Sequence, residues 1–132
     1  KANKMHAFTV TAPSNPAQFA AEEALKNGID DPIAMKKIYQ ERRDYLVDQL
    51  NDMGYETILP EGAFYTFSRI PEKFGLSSIE FADKLATEGL VGVTPGVAFG
   101  KGGEGHFRIS YAASMEDIQE AMKRLRKFTE SL

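Results

Sequence analysis

Residues 95–112 read Pro-Gly-Val-Ala-Phe-Gly-Lys-Gly-Gly-Glu-Gly-His-Phe-Arg-Ile-Ser-Tyr-Ala, and no other stretch of the chain is as informative. A glycine-dense loop, Gly100–Gly105, runs directly into a β-prone segment at 107–111. Because side chains alternate across a strand, Arg108 and Ser110 face away from the apolar side chains of that segment. The planar guanidinium of Arg108 presents paired donors that match a carboxylate bidentately, a geometry that lysine cannot reproduce.

Both the arginine and the glycine loop also have other interpretations. An arginine on a short strand is commonly a solvated edge residue or an ion-pair partner. The loop satisfies the pattern G-x-G-x-x-G of dinucleotide-binding sites, but that site needs a helix after the glycines, so that phosphate meets a helix N-terminus. A strand follows the glycines here. We therefore predict a flexible loop and not a nucleotide site.

The composition is that of one globular domain. The chain has 132 residues, of which 42% are hydrophobic and 27% are charged, and its net charge is −3, so it offers no broad cationic surface for nucleic acid. No apolar run approaches the roughly 20 residues that cross a bilayer. The chain has no cysteine, and His6 and His106 lack the spacing of metal ligands. No nucleic-acid, membrane or metal partner is predicted.

The first half of the chain is predicted to be mainly helical. Residues 7–12 alternate in polarity and favour an extended arm. Asn15 as N-cap and Pro16 at the first helical position predict a helix that runs to Asn27. A longer helix follows over residues 32–53, where apolar residues recur at helical spacing.

The second half mixes strands and helices. Tyr55–Leu59 and Ala63–Phe67 flank a turn signal and predict an antiparallel hairpin. Ser77 and Glu80 have the spacing of a capping box and predict a helix, and Leu90–Thr94 predicts a short strand. A final amphipathic helix is predicted to bury a stripe formed by Ile118, Met122, Leu125 and Phe128. The fold class is therefore α+β, a two-layer domain in which a small, mainly antiparallel sheet is covered by helices.

Five motifs along the chain, taken in order, resemble one known family. They are Ala12–Gln18 (APSNPAQ), Arg42–Leu46 (RRDYL), Pro60–Tyr65 (PEGAFY), Val93–Gly100 (VTPGVAFG) and Phe107–Ser110 (FRIS). Together they resemble the C-terminal, small domain of the class I (fold-type I) aminotransferases that depend on pyridoxal 5'-phosphate, of the aspartate and aromatic aminotransferase type. The resemblance covers nearly the whole chain, and the ordered set is far more specific than any one motif.

The resemblance implies roles for particular residues. Arg108 would bind the α-carboxylate of the amino-acid substrate. Ser14 and Asn15 would lie near a dimer interface and approach the neighbouring subunit's active site, which makes them further candidates for substrate binding. The lysine that binds the cofactor lies, in this family, in a Ser-x-Ser-Lys-like segment that this sequence does not contain. No residue of the chain is assigned to catalysis, to the cofactor or to a metal.

The resemblance also implies what the whole protein does. It would be a cytoplasmic homodimer that exchanges amino groups between an amino acid and a 2-oxo acid, and this chain, without the large domain, would be inactive alone. The chain would form a single small domain, with a connecting arm and helix (1–31), a linker helix (32–53) and an α+β core (54–132). Two alternatives stay open: a related fold-type I enzyme, such as a β-lyase or a decarboxylating synthase, and a stand-alone domain without catalytic function.

Overall fold

The computed structural model describes residues 2–132, which form two compact units, one that ends at Lys37 and one that spans Ile38–Leu132. The described residues form five α-helices: α1 (Ala2–Val10), α2 (Asn15–Asn27), α3 (Asp30–Asp52), α4 (Ser78–Thr87) and α5 (Met115–Ser131). They also form three short strands: β1 (Tyr65–Arg69), β2 (Thr94–Pro95) and β3 (His106–Ser110). Helix α3 begins in the first unit and ends in the second.

The N-terminal segment is helical, so the predicted extended arm over residues 7–12 is wrong. Helix α1 continues to Val10, and Thr11 ends it with a φ of 54°. An alternating pattern favours a strand only where another strand or a core is available to pair with it. Here the hydroxyl of Thr9 donates to the carbonyl oxygen of Met5 one turn earlier, at 2.9 Å, a bond that helices accommodate.

Helices α2 and α3 begin slightly earlier than the sequence predicts. Ser14, and not Asn15, is the N-cap of α2, with an extended backbone at φ −62° and ψ 146°. Helix α3 begins at Asp30 and ends at Asp52. Its first turn holds the carboxylates of Asp30 and Asp31, which suit the positive end of the helix dipole.

The second unit is built on a three-stranded antiparallel sheet in which β3 is the central strand and the order is β1-β3-β2. Arg108 pairs with Phe67 on one side and with Thr94 on the other. Phe107 is fully buried and Ser110 is exposed, so the predicted alternation along this strand is confirmed. Helices cover the buried face, and the predicted α+β fold with a small antiparallel sheet is confirmed.

The predicted hairpin between Tyr55–Leu59 and Ala63–Phe67 is wrong, because the first segment forms no strand. The first segment contributes a single bridge, from Thr57 to Ser68. The side chain of Asn51 takes the place of a strand partner, since it accepts from the N–H of Thr57 at 2.9 Å and donates to its carbonyl oxygen at 3.2 Å. Because a side chain already bonds the N–H and the carbonyl oxygen of Thr57, these groups do not require hydrogen bonds to a neighbouring strand.

The predicted strand over Leu90–Thr94 is also largely wrong. Only Thr94–Pro95 pairs with β3. Leu90 adopts a φ of 55°, a left-handed conformation that interrupts an extended run. Its carbonyl oxygen accepts from the guanidinium of Arg124 in α5, at 3.3 Å.

One hydrophobic core lies between the sheet and helices α3, α4 and α5. The stripe predicted for α5 is confirmed, since all four of its residues are buried. The largest fully buried side chains are Tyr55, Tyr111, Phe81, Phe107, Leu46, Leu50, Leu85, Met122 and Leu125. Burial raises the pKa of Tyr55 to about 12, so its phenol stays neutral, and it shares a hydrogen bond of 2.6 Å with Thr129.

Two helices that pack on this core have capped N-termini. Ser77 and Glu80 form the predicted capping box at α4, in which each side chain bonds the backbone N–H of the other. Ser114 caps α5 by accepting from the N–H of Asp117 at 3.1 Å. Capping of this kind fixes where each helix starts relative to the strand before it.

Candidate carboxylate-binding site

Arg108 stands at the middle of the central strand, on the sheet face opposite the core. Its guanidinium carbon, Cζ, lies over the ring of Tyr65, 4.2 Å from the ring centroid, and 4.5 Å from the ring centroid of Phe99. Tyr65 comes from β1 and Phe99 from the 3₁₀ turn after β2. Both distances are within the range of attractive contact between a cation and an aromatic face.

No hydrogen bond or ion pair engages the guanidinium of Arg108 within residues 2–132. Arg69, which lies on the same sheet face, shows the contrast, since it forms ion pairs with Glu56 at 3.5 Å and with Glu72 at 2.5 Å. The donors of Arg69 are engaged by the protein, whereas no residue in the described part of the chain engages those of Arg108. A planar group with paired free donors is suited to a carboxylate.

Further aromatic rings continue the face on which Arg108 lies. Phe67 stacks on the imidazole of His106, with centroids 5.2 Å apart and planes at 14°, and it meets Phe99 edge to face at 6.1 Å. Phe67 and Phe99 are 40% and 51% exposed. The arginine therefore sits in an open, mainly aromatic surface.

The glycine-rich segment places Phe99 by a close approach of two backbones. Two 3₁₀ turns, Gly96–Phe99 and Lys101–Gly103, follow each other. Gly96 and Gly103 pack so tightly that a Cβ added to either one would fall far inside van der Waals contact with the carbonyl oxygen of the other. Strand β3, and not an α-helix, comes directly after this segment, so the loop lacks the helix N-terminus that a dinucleotide site needs.

Glu104 attaches the same segment to helix α4. Its carboxylate accepts from the backbone N–H of Ser78 at 2.7 Å, from the hydroxyl of Ser78 at 3.0 Å and from the N–H of Gly105 at 3.1 Å. The bond from the N–H of Ser78 comes first among the causes that hold the pKa of Glu104 below its usual value of 4.5. The glycine-rich segment is thus fixed at two points. One is the contact between Gly96 and Gly103, and the other is the attachment of Glu104 to Ser78, four residues before Arg108.

We expect the attachment by Glu104 to weaken in acid. Because the pKa of Glu104 is lower in the folded than in the unfolded chain, its contribution to stability is fully present above pH 4.5 and is lost as the pH falls through the lowered folded value. Urea unfolding from neutral pH downwards measures this loss. E104Q should show a shallower decline of stability on the acid side than the unsubstituted chain.

The exposed Glu61 provides the matched control, since it takes part in no hydrogen bond or ion pair in the described part of the chain. E61Q should keep the decline of the unsubstituted chain. An E104Q variant whose acid-side slope equals that of E61Q would contradict the assigned role of Glu104.

The same contacts bear on whether a cofactor phosphate fits this unit. A helix N-terminus is the usual phosphate site of a protein, but that of α4 already carries Glu80 and Glu104, and that of α5 carries Asp117. These carboxylates would repel phosphate. The two helix N-termini that lie in the second unit therefore do not fit a phosphorylated cofactor.

Ser14 and Asn15, the other two predicted site residues, lie in the first unit, at the start of α2. Both are exposed, and neither side chain forms a hydrogen bond within residues 2–132; Ser14 is an N-cap by position only. No cluster of three or more histidine, cysteine, aspartate or glutamate side chains in the described residues could hold a metal ion. None of the helices described is both long and apolar enough to cross a membrane.

The sequence indicates Arg108 as a candidate site residue but does not indicate the residues that surround it. Tyr65 and Phe99 were present in two of the quoted motifs, and the alternation along β1 places Tyr65 on the same face as Arg108 once the strand pairing is known. The contact between Gly96 and Gly103 had a weaker signal, in the density of glycines alone. Glu104 had no signal of its own, because its partner lies 26 residues away.

The sequence and the fold of this chain have counterparts in known proteins. The family model described as aminotransferase class I and II matches residues 1–125. The chain belongs to this aminotransferase family. Relatives include a putative aminotransferase, YugH, of Bacillus subtilis, which is 46% identical over 125 residues, and an aspartate aminotransferase of Pyrococcus abyssi, which is 42% identical over 129 residues.

The similarity to these aminotransferases extends to the solved structures. The crystal structure of an aromatic aminotransferase from Pyrococcus horikoshii superposes with a TM-score of 0.88 at 41% identity, covering 97% of this chain and 35% of that one. The two relatives in sequence are matched over 95% and 94% of this chain and 32% of their own lengths. The chain therefore spans about a third of the aminotransferases it resembles.

Proposed function

We propose that this chain is the substrate-carboxylate-binding domain of an aminotransferase that uses pyridoxal 5'-phosphate to exchange amino groups between an amino acid and a 2-oxo acid. The observation that carries the proposal is the state of Arg108, whose guanidinium is in contact with two aromatic rings and has no carboxylate partner in residues 2–132. Membership of the aminotransferase family supports the reaction class.

In this proposal Arg108 both binds and orients the substrate. Its two parallel N–H donors take the α-carboxylate, so one end of the amino acid is fixed in plane and in direction. Once the amino nitrogen is also held, fixing the carboxylate limits rotation about the bond between Cα and that nitrogen, and so determines which bond at Cα is presented for reaction. When bound, pyridoxal 5'-phosphate supplies the electron sink for that reaction.

We further propose the organisation of the whole protein. The chain would form one small domain, in which residues 1–31 and 32–53 connect to the large domain and 54–132 form the α+β core, and it would be inactive alone. The protein would be a cytoplasmic homodimer. Ser14 and Asn15 would then approach the neighbouring subunit's substrate, for which their exposed side chains are available.

The open surface around Arg108 does not select one amino acid. The printed names of the relatives include aspartate and aromatic-amino-acid aminotransferases, and every such substrate carries the α-carboxylate that Arg108 would bind. A β-lyase and a decarboxylating synthase of the same fold type would bind this carboxylate too, so the reaction itself must be tested.

A half-reaction with the longer protein that contains this chain tests the proposal. An aminotransferase should convert its bound cofactor from the pyridoxal to the pyridoxamine absorbance when an amino acid is added, and should return it when the matching 2-oxo acid is added. The 132-residue chain alone, treated in the same way, should show neither change. Release of ammonia or of carbon dioxide without the pyridoxamine absorbance would favour the β-lyase or the decarboxylating synthase instead.

A further inference from the structure

We propose that Phe99 and Tyr65 are positioning residues that hold the guanidinium of Arg108 ready for the substrate, an inference that rests on the proposed function of Arg108. Both rings contact the arginine, at 4.5 Å and 4.2 Å from Cζ to the ring centroids. Neither residue is assigned any contact with the substrate. Their role is to hold Arg108, and through it the carboxylate.

Aromatic contact holds an arginine in a way that hydrogen bonds cannot. The N–H donors of a guanidinium lie at the edge of its plane, whereas an aromatic ring contacts its face. A ring therefore restrains the orientation of the plane and leaves every donor free. A protein carboxylate in the same place would occupy the donors, as Glu56 and Glu72 occupy those of Arg69, and the substrate would have to displace it.

The two rings are themselves fixed by different parts of the fold. Tyr65 lies in β1, where it pairs with Ser110, and its ring packs on that of Phe64 with centroids 4.7 Å apart. Phe99 ends the 3₁₀ turn that begins at Gly96, and its ring meets the edge of Phe67 at 6.1 Å. Because the two rings come from different segments of the backbone, loss of one ring leaves the backbone that carries the other in place.

This arrangement predicts a specific kinetic effect. A mobile arginine side chain loses conformational entropy when the carboxylate binds, whereas a side chain already held by aromatic rings loses little. Loss of a ring should therefore weaken binding of substrates that carry the carboxylate and leave those without it unchanged. From the usual strength of a cation–π contact, the loss should be roughly three- to thirtyfold in KM.

The test uses the full-length aminotransferase and compares an amino acid with its decarboxylated amine. F99L should raise KM for the amino acid roughly three- to thirtyfold with little change in kcat, and should leave the kinetics with the amine unchanged. F99Y keeps a ring over Arg108 and should restore KM. Y65L, compared with Y65F, repeats the test from the other side of the site should F99L fail to fold.

Phe74 provides the matched control, because its ring lies under Lys73, with 5.3 Å from Nζ to the centroid, and not under Arg108. F74L should leave the ratio of amino-acid to amine activity unchanged. Suppose that R108A impairs the reaction with the amino acid but not with the amine. Equal losses for both substrates in F99L, or no loss for either, would then overturn the positioning role. If R108A itself fails to discriminate, the proposed function fails, and the positioning role fails with it.

Discussion

Replacement of Arg108 by alanine in the full-length enzyme is expected to lower kcat/KM for every amino-acid substrate by about a hundredfold or more. The substitution would remove the two charge-assisted hydrogen bonds proposed to bind the carboxylate, each with a typical contribution of about 1.5–3 kcal/mol. It also leaves the rings of Tyr65 and Phe99 without the cation that they contact. Because all amino acids share the α-carboxylate, the loss should not depend on the side chain of the substrate.

R108K gives a finer version of the same test. Lysine keeps the charge but has neither the planar fork nor a flat face for the rings, so we expect roughly a tenfold to hundredfold loss in kcat/KM. Half-reaction kinetics with an amino acid and with the corresponding amine measure both variants. The amine should be affected little, and the cofactor absorbance should survive. Equal losses for acid and amine would mean that Arg108 is structural.

The parts of the fold that the sequence predicts well depend on interactions within one element. The helical spacing of four apolar residues in α5 is sufficient to place them in the core, because a helix presents the same face every three to four residues. The capping box of Ser77 and Glu80 needs only residues three apart. The alternation that turns Arg108 away from the core needs only the geometry of a strand.

The wrong predictions of strands in the second half of the chain concern residues whose partners are distant or are side chains. Thr57 was expected in a ladder, but the side chain of Asn51 satisfies its backbone. Leu90 looked like the start of a strand, yet it adopts a left-handed conformation and its carbonyl oxygen bonds to Arg124. Patterns of polarity do not reveal such partners, so a β-prone segment becomes a strand only if the fold supplies a neighbour.

The candidate site likewise has one residue that the sequence indicates and others that depend on distant partners. The sequence identifies Arg108 through its strand and through the resemblance of its motif to the aminotransferases. Tyr65, in contrast, lies 43 positions before Arg108 in the sequence, and only the antiparallel register of β1 and β3 brings the two together. A single sequence gives no access to that register, so the way in which the arginine is held emerges only from the structure.

The close approach of Gly96 and Gly103 predicts that a substitution at either glycine strongly lowers stability. We expect G103A to lower the free energy of unfolding by about 1–3 kcal/mol, as overpacking in a tight contact commonly does. The new Cβ would collide with backbone atoms of Gly96, and backbone, unlike a flexible side chain, cannot turn aside. Denaturant unfolding measures the change.

Gly102 offers a control one residue away, since a Cβ there meets nothing within 4 Å and its φ is not in the left-handed region. G102A should therefore change stability by less than about 0.5 kcal/mol. If the loop tolerates G103A as well as it tolerates G102A, the contact between the two glycines does not constrain the chain.

A double-mutant cycle distinguishes a true contact from two separate effects. G96A should cost a similar amount to G103A, because each new methyl group would strike the carbonyl oxygen of the other residue. Once one substitution has forced the backbones apart, the second has less to displace, so the double variant should cost less than the sum of the two. The separation should also carry Phe99 away from Arg108. In the full-length enzyme, each single variant that folds should then raise KM for amino acids and not for amines, which would link the packing of two glycines to the binding of the substrate carboxylate.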